Sequence, residues 1–285
     1  MKDSAVLLID CPDRKGLIAG VASLLYKHGA NILHADQHQD HDLGLFFMRV
    51  EWALDGPECF DLERFKAAFA TLAAKFGMRW QLTSGVRQTR VALFCSQYLH
   101  CTADLLDRWK SGELLCDIPL IISNHREVEP LAGFYGIPFE LVKVTADTRA
   151  EAEARQLDLL ARHEVELVVL ARYMQILSPA FVARYPASII NVHHSFLPAF
   201  TGARPYHAAH ARGVKLIGAT SHYVTDQLDD GPIIEQDVAR ISHRDQVEDL
   251  VARGRDLERI VLSRAVRWHL DRRILCYGNK TVVFD

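Results

Sequence analysis

Two modes of apolar patterning divide the chain, and the change falls near Thr83-Ser84-Gly85. In the first stretch, a continuous apolar run at residues 5–9 predicts a buried strand. It stops at Cys11-Pro12-Asp13, a turn signal in which Asp13 is placed to cap the following helix. Leu17, Val21, Leu24 and Leu25 recur at helical spacing, and Gly29 ends that helix just past His28. Residues 31–39 and 45–52 read as a hairpin around the turn at 40–44. Residues 60–76 predict an amphipathic helix with Phe65, Phe69, Leu72 and Phe76 on one face, and residues 78–82 a closing strand. The order βαββαβ over residues 1–84 predicts a small ferredoxin-like sandwich.

Beyond the seam, short continuous apolar runs at 91–94, 119–122, 139–142 and 166–170 alternate with helical patterns at 102–110, around Leu131, and at 149–163. Strands buried on both faces between helices predict an α/β domain over 85–285, with a doubly wound, mostly parallel, Rossmann-like sheet. Further strands are expected at 188–191, 216–224 and 233–241, then a long helix at 246–270. A final hairpin, 274–277 with 280–284, turns on Gly278-Asn279.

Composition narrows the class. The 285 residues are 49% apolar and 24% charged, which excludes disordered, collagen-like and small disulfide-stapled chains. A formal charge of −3 argues against a mainly electrostatic grip on nucleic acid. No apolar run approaches the roughly 20 residues that cross a bilayer, so no membrane association is expected. Met1-Lys2-Asp3-Ser4 leads into too short an apolar run for a secretory signal. The six cysteines (Cys11, Cys59, Cys95, Cys101, Cys116, Cys276) have no close pairing and read as packed, reduced thiols. A cytoplasmic protein is the expectation.

In an open parallel sheet, ligands bind beyond the carboxyl ends of the strands. The richest such place is Asn191-Val192-His193-His194-Ser195-Phe196-Leu197-Pro198. Asn191 and His193, two apart on an extended segment, share a face. They offer a neutral donor and a titratable group, the set that holds an oxyanion and moves a proton. Asp229, in Leu228-Asp229-Asp230-Gly231-Pro232, is a carboxylate that can approach His193 and set its tautomer. On spacing alone, a structural histidine at a strand end remains the alternative. His34, Asp36 and His38 alternate along one strand beside His41, a pattern that a half-exposed hairpin produces without any metal. His194, adjacent to His193, is expected on the opposite face.

These segments resemble the signature of the folate-dependent formyltransferases: Asn-x-His-x-Ser, a His-aromatic-Val stretch matched by His222-Tyr223-Val224, and Leu-Asp-x-Gly-Pro. The resemblance implies Asn191, His193 and Asp229 as the catalytic trio. Three further features resemble the deformylase branch of that family: 195–206, Arg212-Gly213-Val214-Lys215 with Ile217-Gly218-Ala219-Thr220, and Gly278-Asn279-Lys280-Thr281. The βαββαβ unit with Cys11-Pro12-Asp13-Arg14-Lys15-Gly16-Leu17 is similar to an ACT domain, and the pairing of the two domains belongs to the same branch.

The resemblance implies hydrolysis of 10-formyltetrahydrofolate to formate and tetrahydrofolate, with folate as substrate and no metal or other cofactor. The alternative is transfer of the formyl group to an amine. Against transfer, residues 95–101 contain no glycine where a nucleotide formyltransferase needs a Gly-rich loop to cradle phosphate. The pterin is expected along Met174, Gln175, Ile176 and Leu177 and beside Val224, Thr225, Asp226 and Leu228. Gln175 stands where the nucleotide formyltransferases usually have Arg, and the other reading of this segment puts Met174 and Leu177 in the core. The ACT resemblance implies a homo-oligomer and an amino-acid effector near Asp13, Gly16 and Asn31; dimerisation without a ligand is the alternative.

Overall fold

The computed structural model describes residues 4–54, 60–85, 88–198 and 205–285. Cys59, the chain start at 1–3 and the motif residues 199–204 lie outside the described residues. The chain forms two compact units. The first holds residues 1–87 with 272–277 and 282–285; the second holds 88–271 with 278–281.

In the first unit β1 (Ser4–Pro12), α1 (Leu17–Lys27), β2 (Asn31–Asp40), β3 (Leu45–Ala53), α2 (Leu62–Phe76) and β4 (Arg79–Ser84) follow in the expected order. The antiparallel sheet runs β2-β3-β1-β4. Strand alternation sends Leu7, Ile9, Met48, Val50 and Trp52 toward α1 and α2, where Val21, Leu25, Phe65 and Phe69 meet them. Leu8 and Phe47 face the other way and pack with Leu275, Val282 and Phe284. That second layer explains why β1 is apolar without a break: both of its faces are covered. It also moves 272–277 and 282–285 out of the stretch that the sequence assigned wholly to the second domain.

Helix α2 starts later than its periodicity suggested, because Asp61 caps it by accepting the Arg64 N–H at 2.9 Å. Asp13 does not cap α1. Gly16, left-handed at φ 93°, occupies that position, and the Asp13 N–H donates to the Gly44 carbonyl. Arg14 instead reaches the last carbonyls of α2, donating to Phe76 O and stacking on the Phe76 ring.

The second unit runs β5 (Thr89–Cys95), α3 (His100–Lys110), β6 (Cys116–Ser123), α4 (Glu129–Tyr135), β7 (Phe139–Leu141), α5 (Arg149–Arg162), β8 (Leu167–Ala171), α6 (Pro179–Val182), β9 (Ile189–His193), α7 (Pro205–Arg212), β10 (Leu216–Tyr223), β11 (Ile233–Arg240) and α8 (Val247–Leu270). β12 (Ile274–Tyr277) and β13 (Lys280–Val283) form the closing hairpin. The short α6 and α7 carry too few turns to show a periodicity; α6 is instead fixed by the Ser178 cap, whose hydroxyl accepts from the Phe181 N–H.

The large sheet has the order β11-β10-β9-β8-β5-β6-β7. It is parallel from β9 to β7, with β10 and β11 added antiparallel at one edge. The chain builds outward from β5 through β6 and β7, then returns to lay β8 and β9 on the other side. The order therefore reverses between β5 and β8, and that junction is the sheet's topological switch point. Phe94, Ile122, Val168 and Leu170 bury one face against Leu160, Tyr173 and Phe181. α8 packs along β9, β10 and β11.

Candidate active site

Strand register assembles the site. Asn191 of β9 lies directly opposite His222 of β10, so their side chains share one face. Asn191 Nδ2 lies 3.2 Å from His222 Nε2. His193, two residues on, projects from the same face of β9, and its Nδ1 is 3.3 Å from Asp229 Oδ2. The other carboxylate oxygen, Oδ1, is 3.7 Å from His222 Nε2. The three residues expected from the sequence thus converge, together with His222, which the sequence placed inside a motif but gave no role.

The loop carrying Asp229 is pinned from below. Tyr223 N–H donates to Pro232 O at 2.9 Å. A Cβ on Gly231 would stand 1.7 Å from the Tyr223 carbonyl oxygen, so only glycine allows this approach. Asp229 itself is left-handed at φ 54°, a conformation that Asp tolerates better than most residues. A register irregularity between Ser221 and His222 sits beside it, as bulges often do next to functional groups. The segment after β9 is held by Thr220, whose hydroxyl donates to Ser195 O and accepts from Leu197 N–H.

Protonation follows from these contacts. Hydrogen bonds from His193 and then His222 hold the Asp229 carboxyl well below the usual carboxylate range, outweighing its burial. His222 Nδ1 faces the Tyr223 carbonyl at 2.9 Å and must donate there. Its Nε2 lies between the Asn191 amide at 3.2 Å and Asp229 Oδ1 at 3.7 Å, so the three groups form one polar cluster. His193 Nε2 is buried and has no hydrogen-bond partner among the described residues. The site therefore holds an ionised carboxylate, an amide, and an imidazole with one nitrogen committed and one unspent.

His194 departs from the expectation of opposite faces: its ring stacks on His193 at 5.0 Å and 20°. β9 ends at His193, and the chain no longer alternates beyond it. Among the expected pterin residues, Met174 and Ile176 are half exposed at 52% and 53%, and Leu228 is 65% exposed. Leu177 is a core residue beside Tyr173 and Phe181, and Val224 packs on the same cluster. Gln175 and Thr225 are partly buried, while Asp226 is exposed. In the first unit, Asp13, Gly16 and Asn31 are all exposed, and no hydrogen bond joins them.

Elsewhere in the second unit, His100, Cys101 and Glu258 place three metal-ligating atoms within 4.8 Å of one another. The Glu258 carboxylate is already shared by His100, Tyr206 and Arg172, so a cation there would face a guanidinium. The described cysteines are unpaired, and burial pushes Cys95 and Cys116 up to about 12. No helix among the described residues is long and apolar enough to cross a membrane.

A doubly wound sheet presents an amide, an imidazole and a carboxylate at its carboxyl edge, a set that suits transfer of an acyl-type group through an oxyanion. A profile of the formyl transferase family matches residues 89–266, and one of the ACT domain matches residues 5–51. A formyltetrahydrofolate deformylase of Synechocystis sp. is 53% identical over 283 residues, 99% of this chain and 98% of that one. The deformylase of Bacillus subtilis is 50% identical, covering 100% of this chain and 95% of the other. A crystal structure of the deformylase from Pseudomonas syringae superposes with a TM-score of 0.96 at 49% identity, covering 100% and 95% of the two chains. Glycinamide ribonucleotide transformylase 1 of Symbiobacterium toebii matches less of the chain, 70% of it and 96% of its own, at 27% identity and a TM-score of 0.65. The chain belongs to the formyltetrahydrofolate deformylase family, with an ACT domain ahead of a formyltransferase-fold domain.

Proposed function

We propose that the chain hydrolyses 10-formyltetrahydrofolate to formate and tetrahydrofolate through Asn191, His193 and Asp229. The observation that carries this reading is the Asp229 carboxylate at 3.3 Å from His193 Nδ1, while Nε2 of the same ring is buried without a partner among the described residues. Asp229 supports the imidazolium, and the His193 Nε2–H with an Asn191 N–H receives the oxyanion as water adds to the formyl carbon. One water proton passes to N10 as the C–N10 bond breaks; the other leaves with the formate ionisation. Because Asp229 binds protons weakly, it orients the water and relays its proton rather than storing it. Met174, Ile176 and Leu228 each leave apolar side-chain surface exposed, and to these we assign contact with the pterin.

In this scheme folate is the substrate, and no metal or redox cofactor takes part. We further propose a cytoplasmic homo-oligomer whose ACT domain binds an amino acid near Asp13, Gly16 and Asn31. The direct test is formate release from 10-formyltetrahydrofolate, with and without glycinamide ribonucleotide. Equal rates in both are expected, and product only in the presence of the amine would overturn the reading. Asn191→Ala should lower turnover by about 10²–10³-fold, as for loss of one oxyanion donor.

A further inference from the structure

We infer that Tyr98 and Arg172, braced by Glu258, fill the acceptor side of this site and so make water the acceptor of the formyl group. The inference rests on the hydrolytic reading above and names what enforces it.

Arg172 carries three local costs. Its backbone is left-handed at φ 61°, a conformation unfavourable for a long side chain. Its side chain is 10% exposed although charged. Its Nε and Nη1 are buried with no hydrogen-bond partner among the described residues, since Glu258 Oε2 lies 3.5 Å from Nε, in an ion pair only. Glycine would incur none of these costs. A residue retained against its local energetics points to function.

Position says which function. Arg172 directly follows β8, and Ala171 pairs with Cys95 at the end of β5. On its other side, β8 pairs Leu170 with Asn191 of β9. Arg172 therefore stands between the loop after β5 and the catalytic strand, in the switch-point crevice where such sheets take a ligand. Its guanidinium lies over the Tyr98 ring at 5.2 Å, and that of Arg255 lies over the same ring at 5.8 Å. A loop free to cradle a second substrate would present backbone N–H groups. This one carries the Tyr98 ring, 41% exposed, with two guanidinium groups against it.

Glu258 closes the arrangement from α8. It is 1% exposed and meets His100 Nε2 at 2.6 Å and the Tyr206 hydroxyl at 2.9 Å. Burial opposes its charge, but His100, Arg172 and Tyr206 together keep its carboxyl below the usual range. Gly254, one turn earlier on α8, leaves the notch for Tyr206, since a Cβ there would stand 2.0 Å from the hydroxyl oxygen. Tyr206 in turn lies 6.3 Å from the His194 ring that stacks on His193. A run of contacts, Arg172–Glu258–Tyr206–His194–His193, thus joins the block to the catalytic imidazole.

The test uses the full-length protein with Tyr98→Gly, Arg172→Gly and the double substitution, probed with glycinamide ribonucleotide. In the wild type, formate release should be indifferent to the nucleotide. In the double variant, saturating nucleotide should either depress formate release by roughly tenfold or divert the formyl group. Diversion forms an N–C bond to the amine and breaks C–N10, with one amine proton passing to N10, and mass spectrometry detects the N-formyl product. A folded double variant whose formate release ignores millimolar nucleotide would overturn the inference. If the Arg172 variants do not fold, Tyr98→Gly alone carries the same test, because it leaves the Glu258 cluster intact. Failure of the hydrolytic reading itself would show separately, as a wild type that releases no formate without an amine.

Discussion

Asp229→Asn isolates the charge at the centre of the site. Asn is nearly isosteric with Asp and adopts the left-handed backbone of position 229 readily, so the loop pinned by Gly231 has no reason to move. What is lost is the negative charge 3.3 Å from His193 Nδ1. At that separation, unit charges interact by roughly 5 kcal/mol in an effective dielectric of about 20. An imidazolium deprived of that support as the oxyanion forms should cost turnover about 10³–10⁴-fold, at 1.36 kcal/mol per decade. The assay is single-turnover formate release, with the variant's melting temperature as a control on folding. A folded variant that loses less than about tenfold would refute the role given to Asp229. A second readout follows from linkage. The carboxyl has a depressed pKa in the folded state, so its stabilising contribution is present above its unfolded value of about 4 and is lost as the pH falls toward the lower folded value. The stability difference between wild type and Asp229→Asn should therefore shrink as the medium is acidified below about pH 4, and a constant difference would contradict the assignment.

Three other substitutions test the framework. Gly231→Ala forces a Cβ to within 1.7 Å of the Tyr223 carbonyl; we expect about 1–3 kcal/mol of destabilisation and a larger relative loss of formate release, read by denaturation and kinetics. Gly254→Ala should gain about 1 kcal/mol from helix propensity on an open helix, yet here it displaces Tyr206. The expected outcome is a net loss of stability, which disappears when the same substitution is made in a Tyr206→Ala background, and a stabilised single variant would show that the notch is not filled. Phe284→Ala removes a ring that is 1% exposed beside Leu8 and Phe47, and should cost about 3–5 kcal/mol in chemical denaturation of the first unit.

Periodicity exposed most elements because burial differs between the units. β1, β5 and β8 are buried along most of their length and read as unbroken apolar runs, while α2 declares itself through one stripe of phenylalanines. Asn191 and His193 were legible as a pair because an extended strand sends alternate residues to one face. The role of His222 was not, since it depends on the antiparallel register that sets it opposite Asn191, and register is not written in either strand alone. Arg172 and Glu258 were invisible for a related reason: a buried arginine and a buried glutamate 86 positions apart read as two ordinary surface charges until the fold brings them together. The Asp13 cap failed because Gly16 lets the chain enter α1 left-handed, an option that side-chain chemistry does not announce.

The route of the backbone through the two units sets an order on synthesis. The β1–β3 face that carries Leu8 and Phe47 leaves the ribosome well before Leu275, Val282 and Phe284, which cover it and follow the whole stretch 88–271. The nascent amino-terminal sandwich must therefore wait, half dressed, while nearly two hundred residues of the catalytic domain are translated. A ribosome stalled near position 271 would display that apolar face to holdase chaperones, and emergence of residues 272–285 would withdraw it. Synthesis of residues 272–285 thus seals the first unit only after the second has been made.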